Sequence, residues 1–175
     1  MEKGSLNNPE AGEVMKELKE ELMDPTAEGV GMAHVFGLSP EEVKSTYLVA
    51  CQKLAQNDIL EASKLFCMLV ALDHNEFKHW RGLGICGMRA QQFFPAAFCF
   101  TRALIKNPND VVSLVFRGEA RVNTGQVILG REDLESAISK AATSKDRDDQ
   151  NYGKRAKAVL KMMDAGDDAG ASFDR

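Results

Sequence analysis

The sequence has no excess of positive charge, no long apolar run and few aromatic residues. Its 22 Lys and Arg residues are outnumbered by 26 Asp and Glu residues, which gives a net charge of −4 and a pI near 5.5. Surfaces that bind nucleic acid or anionic lipid carry a basic patch, so the composition argues against nucleic acid as a partner. The longest uninterrupted apolar run, 65–72, is far shorter than the roughly 20 residues of a membrane-spanning helix. We therefore expect no direct insertion into a membrane.

A secretory signal and a disulfide framework are missing as well. The first five residues are polar and an acidic stretch follows, so no basic segment precedes an apolar one. This pattern predicts a cytoplasmic protein. Cys51, Cys67, Cys86 and Cys99 form no C-x-x-C pair, and disulfides are rare in a reducing compartment. We expect the four thiols to be small apolar residues of a core or groove.

Residues for catalysis or metal binding form no recognisable arrangement. The three histidines, His34, His74 and His79, have no Cys or carboxylate at metal-ligand spacing on one helix face. The sequence contains no G-x-S-x-G, no Gly-rich phosphate loop and no H-E-x-x-H. Gly82 and Gly84 fall inside a predicted helix, where they serve packing. The sequence therefore predicts no enzyme activity, no cofactor and no metal site.

A period of about 34 residues, a length typical of helical repeat units, organises the middle of the chain. One unit has the order W-x2-L-G, an aromatic residue, A-x3-F-x2-A and a closing Pro. The residues are Trp80, Leu83, Gly84, Phe93, Ala96, Phe100, Ala103 and Pro108. This order resembles a tetratricopeptide repeat, a helix–turn–helix unit of the same length. The pattern lacks one Tyr, which Gly87 replaces, and weaker copies of it precede and follow the unit.

Small residues recur where the two helices of each unit must approach closely. They are Ala50, Gly84 and Gly118 on the first helices, and Ala62, Ala96 and Gly130 on the second helices. Phe66, Phe100 and Leu134 follow the second set at a constant offset and are expected to fill the space between units.

The predicted fold is all-α, with three tandem tetratricopeptide-like helix pairs in a right-handed superhelix, a helical N-terminal arm and a C-terminal capping helix. The predicted boundaries are an arm over 1–38, repeats over about 39–74, 75–108 and 109–143, a capping helix over 144–163, and a disordered tail over 164–175. Ser39 and Glu42, with Pro40 between them, form the capping box that begins the first repeat. The tail is rich in Asp, Gly, Ala and Ser, which bury little apolar surface.

The inner face of each first helix lines the concave side of such an array. Helical spacing assigns five residues of each first helix to this face: Lys44, Tyr47, Cys51, Leu54 and Ala55, then Lys78, Arg81, Ile85, Met88 and Arg89, then Val112, Val115, Glu119, Val122 and Asn123. Ile59 and Phe93, at the turns, are expected to reach the rim. An apolar concave trough is a binding surface for another molecule. Alternatively, flanking helices cover some of these side chains and make them part of the core.

Two further stretches make the resemblance closer. The first is Tyr47-Leu48-Val49-Ala50, with the turn at Asn57-Asp58, and the second is Leu72-Asp73-His74. Both are similar to the class II chaperones of bacterial type III secretion systems. The similarity covers about residues 30–140 and the order of arm, repeats and closing helix. It implies a chaperone of the bacterial cytoplasm that binds hydrophobic translocator proteins before secretion. The client would lie in the concave groove as a short extended segment.

The resemblance also implies the residues of two interfaces. Carried over by position, the groove residues are Tyr47, Cys51, Leu54, Ile59, Leu69, Ile85, Met88 and Phe93. Several members of the group have aromatic residues at positions 51, 54 and 59, which bears on which client segment fits. A homodimer through the N-terminal arm is also implied. The arm carries an apolar stripe and a second apolar stretch, and the dimer contacts predicted there are Val14, Leu18, Leu22, Val35 and Phe36.

Two other functions stay open at this point. A co-chaperone that clamps the C-terminal carboxylate of a heat-shock protein needs basic residues and Asn on successive first helices. This chain has Tyr47 and Cys51 where such a clamp would start. A scaffold in a larger assembly would use the same repeats without a client.

Overall fold

A computed structural model describes residue 33 and residues 36–171, with side chains through residue 165. Seven α-helices occur in this part of the chain: α1 (Pro40–Ala55), α2 (Ile59–Leu72), α3 (Phe77–Arg89), α4 (Phe93–Lys106), α5 (Val111–Asn123), α6 (Val127–Thr143) and α7 (Arg147–Ala171). No strand occurs among these residues, and the predicted all-α class is confirmed. Most of the predicted N-terminal arm lies outside the described residues.

The first helix begins at the predicted capping box. The Glu42 N–H donates to Ser39 Oγ at 3.3 Å, and the Ser39 N–H donates to Glu42 Oε2 at 2.8 Å. These two bonds satisfy backbone donors that the first helical turn leaves unpaired. The Ser39 N–H and the Ser39 hydroxyl, each at 2.8 Å, donate to the Glu42 carboxylate, and these two bonds lower the pKa of Glu42.

The three pairs α1–α2, α3–α4 and α5–α6 close through the same turn. The residues at its tightest point, Asn57, Gln91 and Gly125, are one repeat apart and have φ values of 61°, 57° and 80°. In each turn the N–H of the next residue donates to the carbonyl five positions earlier, at 2.8 to 2.9 Å. This bond, with a left-handed residue before it, is the Schellman ending of a helix. The predicted repeat is therefore present in the backbone as well as in the sequence.

The small residues allow the helices to approach as predicted. Ala50, Ala62 and Ala96 are buried. A Cβ atom on Gly84 would lie only 2.7 Å from Cε1 of Phe100, and one on Gly118 would lie 2.9 Å from the Gly130 carbonyl oxygen. Any side chain at these two positions would push the helices of a pair apart.

The array is curved because its first helices lie closer together than its second helices. Contacts join α1 to α3, α3 to α5 and α5 to α7. The first helices α3 and α5 also pack on the second helix of the preceding pair. Each of them therefore lies between two successive second helices. The faces of α1, α3 and α5 therefore form the inner, concave layer, and α2, α4 and α6 form the outer layer.

The last helix is longer than predicted. The sequence predicts that it ends at residue 163 and that a disordered tail begins at 164, but α7 continues to Ala171. The Asp164 carboxylate accepts from Arg131 at 2.8 Å, and alanines, the best helix formers, recur beyond it. Residues 172–175 lie outside the described part of the chain. Within the described part, no helix is long and apolar enough to cross a membrane.

Candidate binding groove

Tyr47 anchors the first-repeat end of the concave layer. It lies on α1, half buried, with its ring centroid 6.0 Å from that of Phe66 and 5.9 Å from that of His79. Burial raises the pKa of the Tyr47 hydroxyl, and the neighbouring Cys51 thiol raises it further, whereas Arg81 lowers it. The side chain is thus a neutral, partly covered aromatic surface that joins the first two pairs.

Arg81 lies beside it on α3, between a ring and a carboxylate. Its guanidinium donates to Asp110 Oδ1 at 2.8 Å and lies 5.3 Å from the centroid of Phe77. Asp110 in turn caps α5 by accepting from the Ser113 N–H at 3.1 Å. The positive charge in the groove is therefore neutralised and fixed by the next repeat.

An apolar surface continues along α3 and α5. Ile85, Met88 and Val112 are half buried and pack against a cluster that contains Phe100 and Phe116. Their uncovered parts form the middle of the groove. Met is flexible and polarisable, so it adapts to differently shaped apolar partners.

The third-repeat end of the groove is closed by α7. Arg155 makes two parallel bonds to Glu119, at 2.6 and 2.7 Å, and its guanidinium lies 4.7 Å from the centroid of Phe116. The ring of Tyr152 meets the same phenyl ring edge-on at 5.8 Å. The bonds to Glu119 raise the pKa of Arg155. A groove-bound segment would therefore contact α7 as well as the repeats.

A cavity of about 600 Å³ opens at the first-repeat end of the groove. Apolar residues of α1 and of the end of α2 line it, together with four charged side chains. Lining residues are Val43, Tyr47, Leu48, Leu72 and His79, with Lys44, Lys78, Asp73 and Glu76 among the charged ones. The cavity is of the size of ordinary ligand pockets and fits an apolar side chain of a partner.

The structure brings most of the predicted groove residues together. Tyr47, Cys51 and Leu54 on α1, and Arg81, Ile85 and Met88 on α3, are half-buried residues of adjacent inner helices.

Three positions differ from that assignment. Leu69 is fully buried within the first pair, so its prediction as a groove residue is wrong. Val115 is also fully buried. Ile59 packs in the first-pair core and also lines a cavity beside α4, on the outer layer. Phe93, half buried at the start of α4, stays an untested prediction for the rim.

The sequence did not indicate the contribution of α7. Glu119 and Arg155 are far apart in the chain and belong to no shared motif. The only available signal was the helical spacing of Tyr152, Ala156 and Val159, which marks an apolar face but not its partner.

Of the predicted dimer contacts, only one can be placed. Phe36 is 65% exposed, whereas Val14, Leu18, Leu22 and Val35 lie outside the described residues. The homodimer stays a prediction.

The cysteines are all free, and they differ in exposure. Cys86 and Cys99 are buried, and burial raises the pKa of each thiol to about 11. Cys51 is half buried in the groove. Cys67 is exposed on α2, so its prediction as a core or groove residue is wrong.

Comparisons with known proteins identify the fold. No protein-family profile and no curated protein matches the chain. Among solved structures, a type III secretion complex from Aeromonas hydrophila is 20% identical, with a TM-score of 0.75 over 90% of this chain and 98% of the other. The translocator chaperone SycD from Yersinia enterocolitica is 18% identical, with a TM-score of 0.68 over 77% and 98%.

A third structure contains a bound segment. PcrH from Pseudomonas aeruginosa, in complex with the chaperone-binding region of PopD, is 21% identical, with a TM-score of 0.69 over 75% of this chain and 97% of the other. Together these likenesses confirm the predicted tetratricopeptide-like fold.

Proposed function

We propose that this chain is a chaperone of a bacterial type III secretion system, which binds hydrophobic translocator proteins in the cytoplasm before their secretion. The observation that carries the proposal is an apolar concave layer, built by α1 and α3, on a fold similar to SycD and to PcrH with its bound PopD segment. The client would bind as an extended segment along the groove.

The chemistry of the groove suits such a segment. Tyr47, Ile85 and Met88 offer uncovered apolar area, and the cavity at the first-repeat end accepts a larger anchor. Arg81 is already paired with Asp110, so an apolar client does not have to desolvate a free charge there. Covering a few apolar anchors of a protein that later enters a membrane removes sites at which its copies would aggregate.

Binding to one client segment does not need a tight dimer, but the resemblance favours one. We include in the proposal a homodimer formed through the N-terminal arm, with Val14, Leu18, Leu22, Val35 and Phe36 as contacts. We propose no catalytic step, because the function requires only binding and release.

Co-purification of candidate clients tests the proposal. The tagged full chain is co-expressed with each hydrophobic protein that the secretion system of the same bacterium exports. We expect one or more of them to co-purify with the wild type and to be lost with Tyr47→Glu or Met88→Glu. Met162→Glu is the matched control, because Met162 is 72% exposed on α7. Circular dichroism checks that all three variants keep their helical content.

Two results would contradict the proposal. Retention of the client by both groove variants would place the binding surface elsewhere. Unfolding of both variants, with the control folded, would mean that Tyr47 and Met88 are core residues.

One observation favours the co-chaperone function as a second candidate. Lys44 and Lys78 lie one repeat apart on successive first helices and line the same cavity, as two members of a carboxylate clamp would. The third equivalent position is Val112, so the set is incomplete. Binding assays with the C-terminal peptide of a heat-shock protein, once with a free carboxylate and once with an amidated one, distinguish the two functions. Binding of the free form alone would favour the co-chaperone.

A further inference from the structure

In the third repeat, two arginines of α5 share one aspartate of α6. Asp133 accepts from Arg117 at 2.6 and 2.9 Å and from Arg121 at 2.7 Å. Arg117 also lies 3.4 Å from the Thr101 hydroxyl of α4. Only 16% and 20% of the two arginine side chains and 6% of the aspartate side chain are exposed. These four side chains therefore occupy the space over α5 that separates the outer helices α4 and α6.

The same place in the second repeat lacks this network. The equivalents of the two arginines, 34 residues earlier, are Leu83 and Gly87, and those of the aspartate and the threonine are Cys99 and Cys67. Each charged member is thus replaced by an uncharged residue, and one arginine side chain is replaced by a single hydrogen atom. A cavity of about 440 Å³ lies there, between α2 and α4, and Leu83, Gly87 and Cys99 line it. We call this cavity the slot.

The slot is apolar from the surface to the core. Its lining extends from Leu60, which is 66% exposed, to Cys86, which is 2% exposed. None of the described residues that line it is charged. Burial raises the pKa of the Cys86 and Cys99 thiols to about 11, so both are uncharged at neutral pH. The Ser63 hydroxyl, also in the lining, already donates to the Leu60 carbonyl at 2.8 Å.

Charged residues do adjoin the lining residues in the chain, but each of them already has a partner. Asp58 accepts from Lys53 at 3.3 Å, Glu61 accepts from Lys64 at 2.7 Å, and Arg89 donates to the Leu54 carbonyl at 2.7 Å. A charged group that entered the slot would lose its hydration and gain no free counter-charge from these residues. The charge pattern therefore selects an uncharged occupant.

We propose that the slot binds a small uncharged molecule with an unbranched aliphatic chain. The third repeat shows the shape of the missing part, because the residue one repeat after Gly87 is Arg121, whose side chain is long and unbranched. In the slot no carboxylate remains to hold a guanidinium, since Cys99 replaces the aspartate, so the chain that fits is apolar throughout.

The size of the slot agrees with this occupant. Its volume of about 440 Å³ lies within the range of ordinary small-molecule pockets, about 300 to 1,000 Å³. An apolar cavity offers a water molecule too few hydrogen-bonding partners, so it stays dry and takes up an apolar ligand instead.

The slot and the groove are different sites. The slot lies between the outer helices α2 and α4, whereas the groove belongs to the inner layer, and the cavity at the first-repeat end of the groove has charged residues in its lining. The inference therefore goes beyond the proposed function, and the two can fail separately.

Methyl NMR of the full chain, with 1-hexanol as the probe, tests the proposal. The methyl signals of Leu60 and Leu83 report on the slot, and those of Leu48 and Leu72 report on the cavity of the groove. We expect saturable shifts at Leu60 and Leu83. Hexanoate and hexylammonium have the same chain with a charged end and should bind there at least about ten-fold more weakly. A branched isomer of hexanol should also bind more weakly, because it does not match the unbranched shape.

Ser63→Met is the variant that fills the slot, because Ser63 belongs to its lining. We expect it to raise the Kd for 1-hexanol at Leu83 at least about ten-fold. Ser45→Met is the matched control. The Ser45 hydroxyl also donates to the carbonyl three residues earlier, at 2.9 Å, but this residue lines neither of the two cavities. Circular dichroism checks that both variants keep their helical content. Gly87 is unsuitable for this purpose, since a Cβ atom there would lie 3.1 Å from that of Ala96.

Three results would overturn the inference: no saturable shift at Leu60 and Leu83, equal affinities for 1-hexanol and hexanoate, or equal affinities of Ser63→Met and the wild type. Release of a client by Ser63→Met, in a chain that does not bind 1-hexanol, would assign the slot to a side chain of the client and would also overturn it. The groove proposal has its own test in Tyr47→Glu and Met88→Glu, which leave the slot unchanged.

Discussion

The Arg81 guanidinium donates to Asp110 across a distance of 2.8 Å, and this pair joins the groove to the start of the next repeat. Only 23% of the arginine side chain and 7% of the aspartate side chain are exposed. The same carboxylate caps α5 through the Ser113 N–H. One residue therefore fixes both the position of α5 and the charge in the groove.

We expect Asp110→Ala to destabilise the fold by about 2 to 4 kcal/mol, because it removes an N-cap and leaves a half-buried arginine without its partner. Asp110→Ser is the matched variant, since Ser also caps a helix but cannot pair with Arg81. It should be less destabilising by about 1 kcal/mol. Urea unfolding followed by circular dichroism measures both changes. Equal stability of the two variants would show that the cap contributes nothing.

We expect Gly84→Ala to destabilise the fold by about 1 to 3 kcal/mol, although Ala is the better helix former. The new methyl group would lie 2.7 Å from the ring of Phe100, so α3 and α4 must separate. Phe100→Leu removes the ring atoms that the methyl group meets. The double variant should therefore lose less stability than the sum of the two single changes, as a double-mutant cycle in urea measures. Simple additivity would contradict the close approach.

Much of the fold could be predicted because the repeat period and the helix caps act over short distances. Ser39 and Glu42 lie in one helical turn, and Gly84 and Phe100 belong to one helix pair, so local sequence specifies both contacts. The length of α7 could not be predicted, because a composition that buries little apolar surface does not show whether the preceding helix continues into it.

The groove could be predicted only in part. An apolar residue at helical spacing shows that one face is apolar, but not whether another helix covers it. Leu69 and Met88 are both apolar, yet the first is fully buried and the second is only partly covered. For the same reason Leu60, Phe94 and Ile128, which share a repeat position, were not recognised as exposed.

We expect Gln91→Gly to stabilise the fold by about 0.5 to 1 kcal/mol, because Gln91 has a φ of 57° and Gly adopts this conformation without strain. Asn57→Gly, at the equivalent turn, should change stability much less, since Asn tolerates the left-handed region. Thermal unfolding compares the two variants with the wild type. A destabilised Gln91→Gly variant would show that the Gln side chain contributes more to the turn than its backbone strain costs.

The thiols should react at very different rates. Cys67 is exposed, whereas Cys86 and Cys99 are buried and have pKa values of about 11. The thiolate is the reactive form, so at pH 8 the two buried thiols are almost entirely protonated as well as covered. With an aromatic disulfide reagent we expect one fast reaction, which Cys67→Ser abolishes, and slow reactions of Cys86 and Cys99.

Denaturant distinguishes burial from intrinsic chemistry in the same assay. In urea above the unfolding transition all four thiols should react at similar rates, because burial no longer raises any pKa. If Cys86 and Cys99 reacted as fast as Cys67 in the folded protein, the interface between the first two pairs would open readily. The cavity between α2 and α4, whose wall contains both of these thiols, would then be a transient opening instead of a formed hole.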